Sequence, residues 1–176
     1  QIAKAAGAKV IATVGSDAKA AVAREAGADV VVDYGKERFA DAARAATGGR
    51  GVDVVYDSVG AATFEQSLEC LALRGTMVTF GQSSGKIPPF DPLVLSQKGS
   101  LYLTRPSLHA YVHTREELLA RAADVFERVR SGRLRVRIAA EIPLAEAARA
   151  HDLLESRAAL GKVLLVAAPA TGVGAA

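Results

Sequence analysis

The residues best suited to chemistry are Gly15 and Ser16, with Lys19 one helical turn further on. A β-branched run from Val10 to Val14 ends at the glycine. Ser16 can then cap a helix, which the alanine-rich stretch Ala18–Ala26 favours. Strand, tight turn and helix make the βα unit of a dinucleotide-binding sheet, in which this turn lies under the adenosine ribose. An acid at the strand end would accept a hydrogen bond from the 2′-hydroxyl of NAD. None stands there. The backbone N–H and hydroxyl of Ser16 and the ammonium of Lys19 can instead hold a 2′-phosphate. The pattern points to NADP(H), although a serine cap followed by a surface lysine is also an ordinary helix start.

Other reactive side chains offer less. His109, His113 and His151 have no carboxylate or thiolate companions at useful spacing and read as solvated or locally bonded, with the first two in a strand-to-loop region after Pro106. Cys70 is the only cysteine, which excludes a disulfide frame and a cysteine-based zinc site. Its neighbours Leu68, Leu71 and Leu73 place it on an apolar helix face, in the core. In Tyr56-Asp57-Ser58 the reading is a core tyrosine and a strand-end acid. There is no nucleophile–base pair, so neither a catalytic side chain nor a metal ligand is expected, and the chemistry falls to a cofactor.

These groups need a scaffold. Strands are expected at 10–14, 30–34, 52–57, 75–81 and 100–104, and helices at 1–6, 17–26, 36–46 and 62–71. Each repeat brings a strand end to the same edge, with Ser58 and Gly60 after the third strand and Gly81 after the fourth. Such alternation predicts an α/β fold with a doubly wound, mostly parallel sheet. Gln82 to Gly99 carries Pro88, Pro89 and Pro92 and reads as a loop with at most a short helix. Beyond Pro106 the pattern changes to a helix over 115–131 capped by Thr114 and Gly132, extended segments at 134–139 and 142–144, a helix through Glu155 and a strand at 162–166.

With 176 residues and 50% hydrophobic composition, the chain can bury the core of one body or of two unequal ones. The net charge of +3 does not imply a nucleic-acid partner, and Arg128, Arg130, Arg133, Arg135 and Arg137 read as a solvated helix end and turn. No apolar run approaches the ~20 residues of a membrane span, and the single cysteine fits a reducing cytoplasm.

Four segments carry a family resemblance: VDVVYDSVG at 52–60, GTMVTFGQSSG at 75–85, QKGSLYLTRPSL at 97–108 and HDLLESRAALGK at 151–162. The chain resembles the C-terminal portion of the zinc-independent NADPH:quinone oxidoreductases, the zeta-crystallin-like branch of the medium-chain dehydrogenase/reductase superfamily. The resemblance implies that Gly15, Ser16 and Lys19 face the 2′-phosphate, with Tyr34 at the same end of the cofactor. Ser58 and Gly60 would pass beside its midsection, while Phe80, Gly81, Gln82 and Ser83 would line the nicotinamide half. Leu103 would offer backbone to the carboxamide. Arg157 would reach back to the cofactor, although an arginine near a helix C-terminus also suits the macrodipole.

The same resemblance divides the chain into a truncated dinucleotide-binding domain (1–109), part of a GroES-like catalytic domain (110–168) and a flexible tail (169–176). It implies an incomplete Rossmann-type sheet whose first strand and Gly-rich turn are absent. In the order 3-2-1-4-5-6 that strand would lie between 10–14 and 52–57. The chain alone is therefore expected not to be a working reductase. The tail 170–176 resembles the Gly-rich turn, by coincidence or by a swap. The implied activity of the intact protein is reduction of a quinone or enone by NADPH, by hydride or by electron transfer, in a homodimer paired through the 100–104 strand. The alternatives are an enoyl or alkenal reductase of the same superfamily, or a non-catalytic RNA-binding or structural member.

Overall fold

The computed structural model describes residues 1–156 and 158–167. Its contacts divide it into two units, Gln1–Asp124 and Val125–Ala176. In the first, a short helix α1 (Ile2–Ala5) leads to β1 (Ile11–Val14), α2 (Asp17–Glu25), β2 (Val30–Asp33), α3 (Phe39–Ala46), β3 (Val52–Asp57), α4 (Phe64–Glu69) and β4 (Leu71–Thr79). Then follow α5 (Leu93–Gln97), β5 (Tyr102–Thr104) and α6 (Leu108–Tyr111). The helix α7 (Arg115–Arg130) spans the division, and beyond it come β6 (Ile138–Pro143), a 3-10 turn, α8 (Ala147–Glu155) and β7 (Lys162–Val166).

All pairings among the described strands are parallel. β1 pairs with β2, and β4 pairs with β3 on one side and β5 on the other. No pairing joins β1 to β3. A cleft of about 910 Å3 lies between them, walled by Val10–Gly15 on one side and Val52–Val59 on the other. The strand order expected from the sequence puts a neighbour of both β1 and β3 at this place.

Two apolar clusters hold the first unit together. One gathers Val32, Phe39, Ala40, Ala43 and Cys70, with Ile11 of β1 and Val52 and Val55 of β3 packed against it. The other gathers Phe64, Leu68, Leu71, Met77 and Leu101, against which Val52, Val55 and Leu103 pack. Val52 and Val55 belong to both clusters, so the two partial sheets share one core even though they are not hydrogen-bonded to each other. In the second unit β6 and β7 form a parallel pair connected through α8, with Ile142 and Ala150 buried.

Several expectations need correction. Tyr56 is not a core residue: it is 72% exposed, because it faces the cleft where a neighbouring strand would cover it. Leu73 is 77% exposed and does not pack on Cys70. The fourth helix stops at Glu69, and Leu71–Arg74 already belong to β4. Leucine and alanine favour helix locally, but pairing of Leu71 with Val52 decides the outcome. The pairing then skips to Val54 with Thr76, accommodating Arg74 at φ 58°. β5 is shorter than expected, since Ser100 takes a left-handed φ of 55° and Leu101 turns into the core. His109 lies in α6, a helix that the sequence reading missed, and its ring stacks edge-on to His113 at 5.8 Å. β6 begins at Ile138 rather than Leu134 and runs on without a break to Pro143.

Candidate functional site

The segments that follow β1 to β4 carry every candidate residue except Leu103, which is in β5, and Arg157, which falls outside the described residues as does the tail 169–176. Two groups form.

At the end of β1, Ser16 takes extended backbone and caps α2, its hydroxyl oxygen accepting from the Lys19 amide at 3.4 Å. That use leaves the hydroxyl proton free to point outward. Tyr34 follows β2, where its amide donates to the Val14 carbonyl at 3.0 Å. Its hydroxyl lies over Gly15, so that a Cβ on that glycine would sit 2.7 Å from the phenolic oxygen. Gly15, Lys19 and Tyr34 all line the cleft.

Charge at this end is partly neutralised. The ammonium of Lys36 lies 2.6 Å from Asp17 and 3.4 Å from Asp33. Its hydrogen bond to Asp17 holds that carboxyl below the usual carboxylate range. Lys36 is shared by two carboxylates, and Lys19, with no ion-pair partner among the described residues, is the cation of this group left to meet a ligand. The spacing of Lys36 from Asp17 in sequence hides this arrangement; the turn after β2 creates it.

The second group joins the loops after β3 and β4. Gly60, at φ 91°, packs on Gln82 Cα and the Gly85 carbonyl, and a Cβ there would lie 3.0 and 2.7 Å from them. Gly81 lies against the backbone of Ser58, within 2.7 Å of its Cα if a Cβ were added. Ser83 and Ser84 amides donate to the carbonyls of Ser58 (3.3 Å) and Val59 (2.8 Å). The Ser84 hydroxyl donates to the Val59 carbonyl and accepts from the Ala62 amide. Phe80, which is exposed, anchors the start of its loop through an amide donating to the Asp57 carbonyl at 2.9 Å. Ser58, Gly60, Phe80, Gly81, Gln82 and Ser83 are thus assembled by the fold into one double loop.

Leu103 is the middle residue of β5, opposite Met77 in the ladder, with its side chain against the second core cluster. Two residues passed over in the sequence reading support the double loop. Asp57 is buried beneath it, and Arg105 reaches back from the end of β5 to donate to the Gly81 carbonyl at 3.0 Å. An acid before a Ser-x-Gly turn is a signal for Asp57 in hindsight, whereas no local pattern marks Arg105. Among the described residues, no group of three or more His, Cys, Asp or Glu is placed to hold a metal ion.

Comparison with known proteins agrees with this geometry. Residues 1–123 match the profile of the zinc-binding dehydrogenase family. The chain belongs to that family. Within its wider membership, the chain is 49% identical over 168 residues to quinone oxidoreductase 1 of Escherichia coli, covering 94% of this chain and 51% of that protein. A 2-haloacrylate reductase from Burkholderia is 39% identical over 161 residues, covering 91% of this chain and 48% of the relative. A crystal structure of E. coli quinone oxidoreductase complexed with NADPH superposes with a TM-score of 0.89 at 49% identity, over 94% of this chain and 51% of that one. The chain therefore spans about half the length of the family members it matches.

Proposed function

We propose that this chain supplies the NADPH site of a quinone oxidoreductase, and that in the intact protein a hydride passes from NADPH to a quinone. The observation that carries the reading is that two half-sites face one cleft, Gly15, Lys19 and Tyr34 from one side and Ser58 and Val59 from the other. One is a strand end whose nearby acids, Asp17 and Asp33, are engaged by Lys36, with Lys19 free of an ion-pair partner among the described residues; the other is a double loop held together by the close packing of Gly60 and Gly81.

The residues fit the cofactor. A 2′-phosphate at Ser16 and Lys19 would receive a hydroxyl, a backbone N–H and an ammonium, all donors. Tyr34, half-exposed above Gly15, offers a flat apolar face beside them. At the other end the absent Cβ atoms of Gly81 and Gly60 let the loops after β3 and β4 pack backbone against backbone, which fixes the double loop at the strand ends. The cofactor supplies the hydride, while the protein orients the ring and excludes competing geometry. Leu103 is assigned the carboxamide contact through its backbone, and Arg157 a contact from the C-terminal segment.

The reading extends to organisation. Residues 1–109 form the dinucleotide-binding portion, and 110–168 contribute to a catalytic domain with which a quinone is shared. The free edge of β5, with Tyr102 exposed, pairs with its copy in a homodimer. The chemistry is zinc-independent, and a single buried thiol suits the reducing cytoplasm. No helix among the described residues is long and apolar enough to cross a membrane.

Titration of the chain with NADPH and NADH, followed by nucleotide fluorescence, tests the proposal. Charge-assisted hydrogen bonds contribute about 1.5–3 kcal/mol, so NADPH binding should weaken about 10- to 100-fold in Lys19→Ala while NADH changes little. Equal affinity for the two nucleotides, unchanged by the substitution, defeats the phosphate assignment. The 2-haloacrylate reductase relative favours a second reading, in which the acceptor is an activated alkene; turnover of a quinone against an enone by the intact protein separates the two.

A further inference from the structure

We propose that Asp57 is a positioning residue of this site: from inside the fold it sets the two loops that receive the midsection and the nicotinamide half of the cofactor. The proposal rests on the cofactor reading above.

Asp57 is 4% exposed, and its hydrogen-bond partners include no cation. Burying a carboxylate is costly unless its oxygens are satisfied. Here each oxygen takes two donors. Oδ1 accepts from the amides of Val59 (2.7 Å) and Gly60 (3.0 Å), and Oδ2 accepts from the hydroxyls of Thr63 (2.7 Å) and Ser67 (2.9 Å). The first pair fixes the turn and the second ties it to α4. A carboxylate only accepts, so it holds all four donors at once; an asparagine of the same shape has one accepting oxygen and must turn an N–H toward either the amides or the hydroxyls.

The consequence reaches beyond the turn. The carbonyls of Ser58 and Val59, whose direction the Asp57 contacts set, accept from the Ser83 and Ser84 amides, and Gly81 lies against Ser58 Cα. The loop after β4 is therefore built on the loop after β3, and both depend on one buried acid. Asp57 acts through Ser58, Gly60 and Gly81.

The test uses Asp57→Ala and Asp57→Asn in the 176-residue chain, with amide exchange and two ligands. In D57A the amides of Val59, Gly60, Ser83 and Ser84 should exchange at least tenfold faster while those of β2 keep their protection, with D57N lying between. NADPH affinity should fall at least tenfold. Binding of 2′,5′-ADP, which carries only the phosphate-bearing half, should change less than twofold. A loop whose exchange is unmoved, exchange raised equally in β2, or loss of both ligands together overturns the proposal. If D57A fails to fold, D57N carries the same comparison. If the wild-type chain binds neither ligand, the exchange pattern alone decides whether Asp57 sets the loops.

Discussion

The Tyr34 hydroxyl stands directly over Gly15: a methyl group on the glycine would lie 2.7 Å from the phenolic oxygen and 3.1 Å from the ring carbon that bears it. Two loops separated by β2 thus share one contact at the end proposed to hold the 2′-phosphate. Gly15→Ala should displace Tyr34 and weaken NADPH binding about tenfold with little loss of stability, since both residues are exposed at the sheet edge. Fluorescence titration beside a thermal melt checks it; unchanged affinity would remove Tyr34 from the site.

Gly51 is the stricter glycine. It is buried at φ 89°, and a Cβ would lie 2.7 Å from three backbone atoms of Cys70, Leu71 and Ala72. Gly51→Ala adds left-handed strain to an overlap that no side-chain movement relieves, at a combined cost of about 4 kcal/mol. A large fall in the denaturation midpoint is expected, and a shift of under a degree would contradict the backbone geometry.

Burial pushes the Cys70 thiol up to about 11. The folded protein should therefore react with thiol reagents at pH 8 only as fast as it opens, and denaturant should accelerate labelling by orders of magnitude. The folded value lies above the ordinary 9.0, so the neutral thiol favours the fold below pH 9 and that contribution is lost as the pH rises towards 11. Cys70→Ser should flatten this alkaline loss, as read from stability curves at pH 8 and 10.5.

The cleft-facing edge of β3 exposes Val54 and Tyr56 beside unpaired backbone. Edges of this kind pair with other chains. Val54→Lys or Tyr56→Lys should lower self-association of the chain at high concentration, measured by light scattering, without altering amide protection in β4. Scattering equal to that of the parent would show that this edge is not the associating surface.

Much of this architecture was readable from local pattern. The alternation of β-branched runs with alanine-rich helices placed β1, β2, β3 and β7 within about a residue. The Thr114 cap also holds: its hydroxyl accepts from the Glu117 amide, and the Glu117 carboxylate accepts from the Thr114 amide. Boundaries failed where tertiary pairing competes with propensity. Leu71 and Ala72 would extend α4 by their own preference, yet they enter β4 because Val52 offers them a ladder.

The sequence by itself determined that the chain is a parallel α/β protein, that an acid is missing at the end of β1, and which glycines end the strands. These follow from side-chain period and from turn chemistry, both local properties. Only the tertiary structure decided that Tyr34 covers Gly15, that Lys36 binds Asp17, that Tyr56 faces an open cleft, and that Asp57 gathers four donors under the double loop. Each depends on where two distant segments meet. The packing of shared core residues such as Val52 and Val55 sets that meeting, and no short-range pattern encodes it.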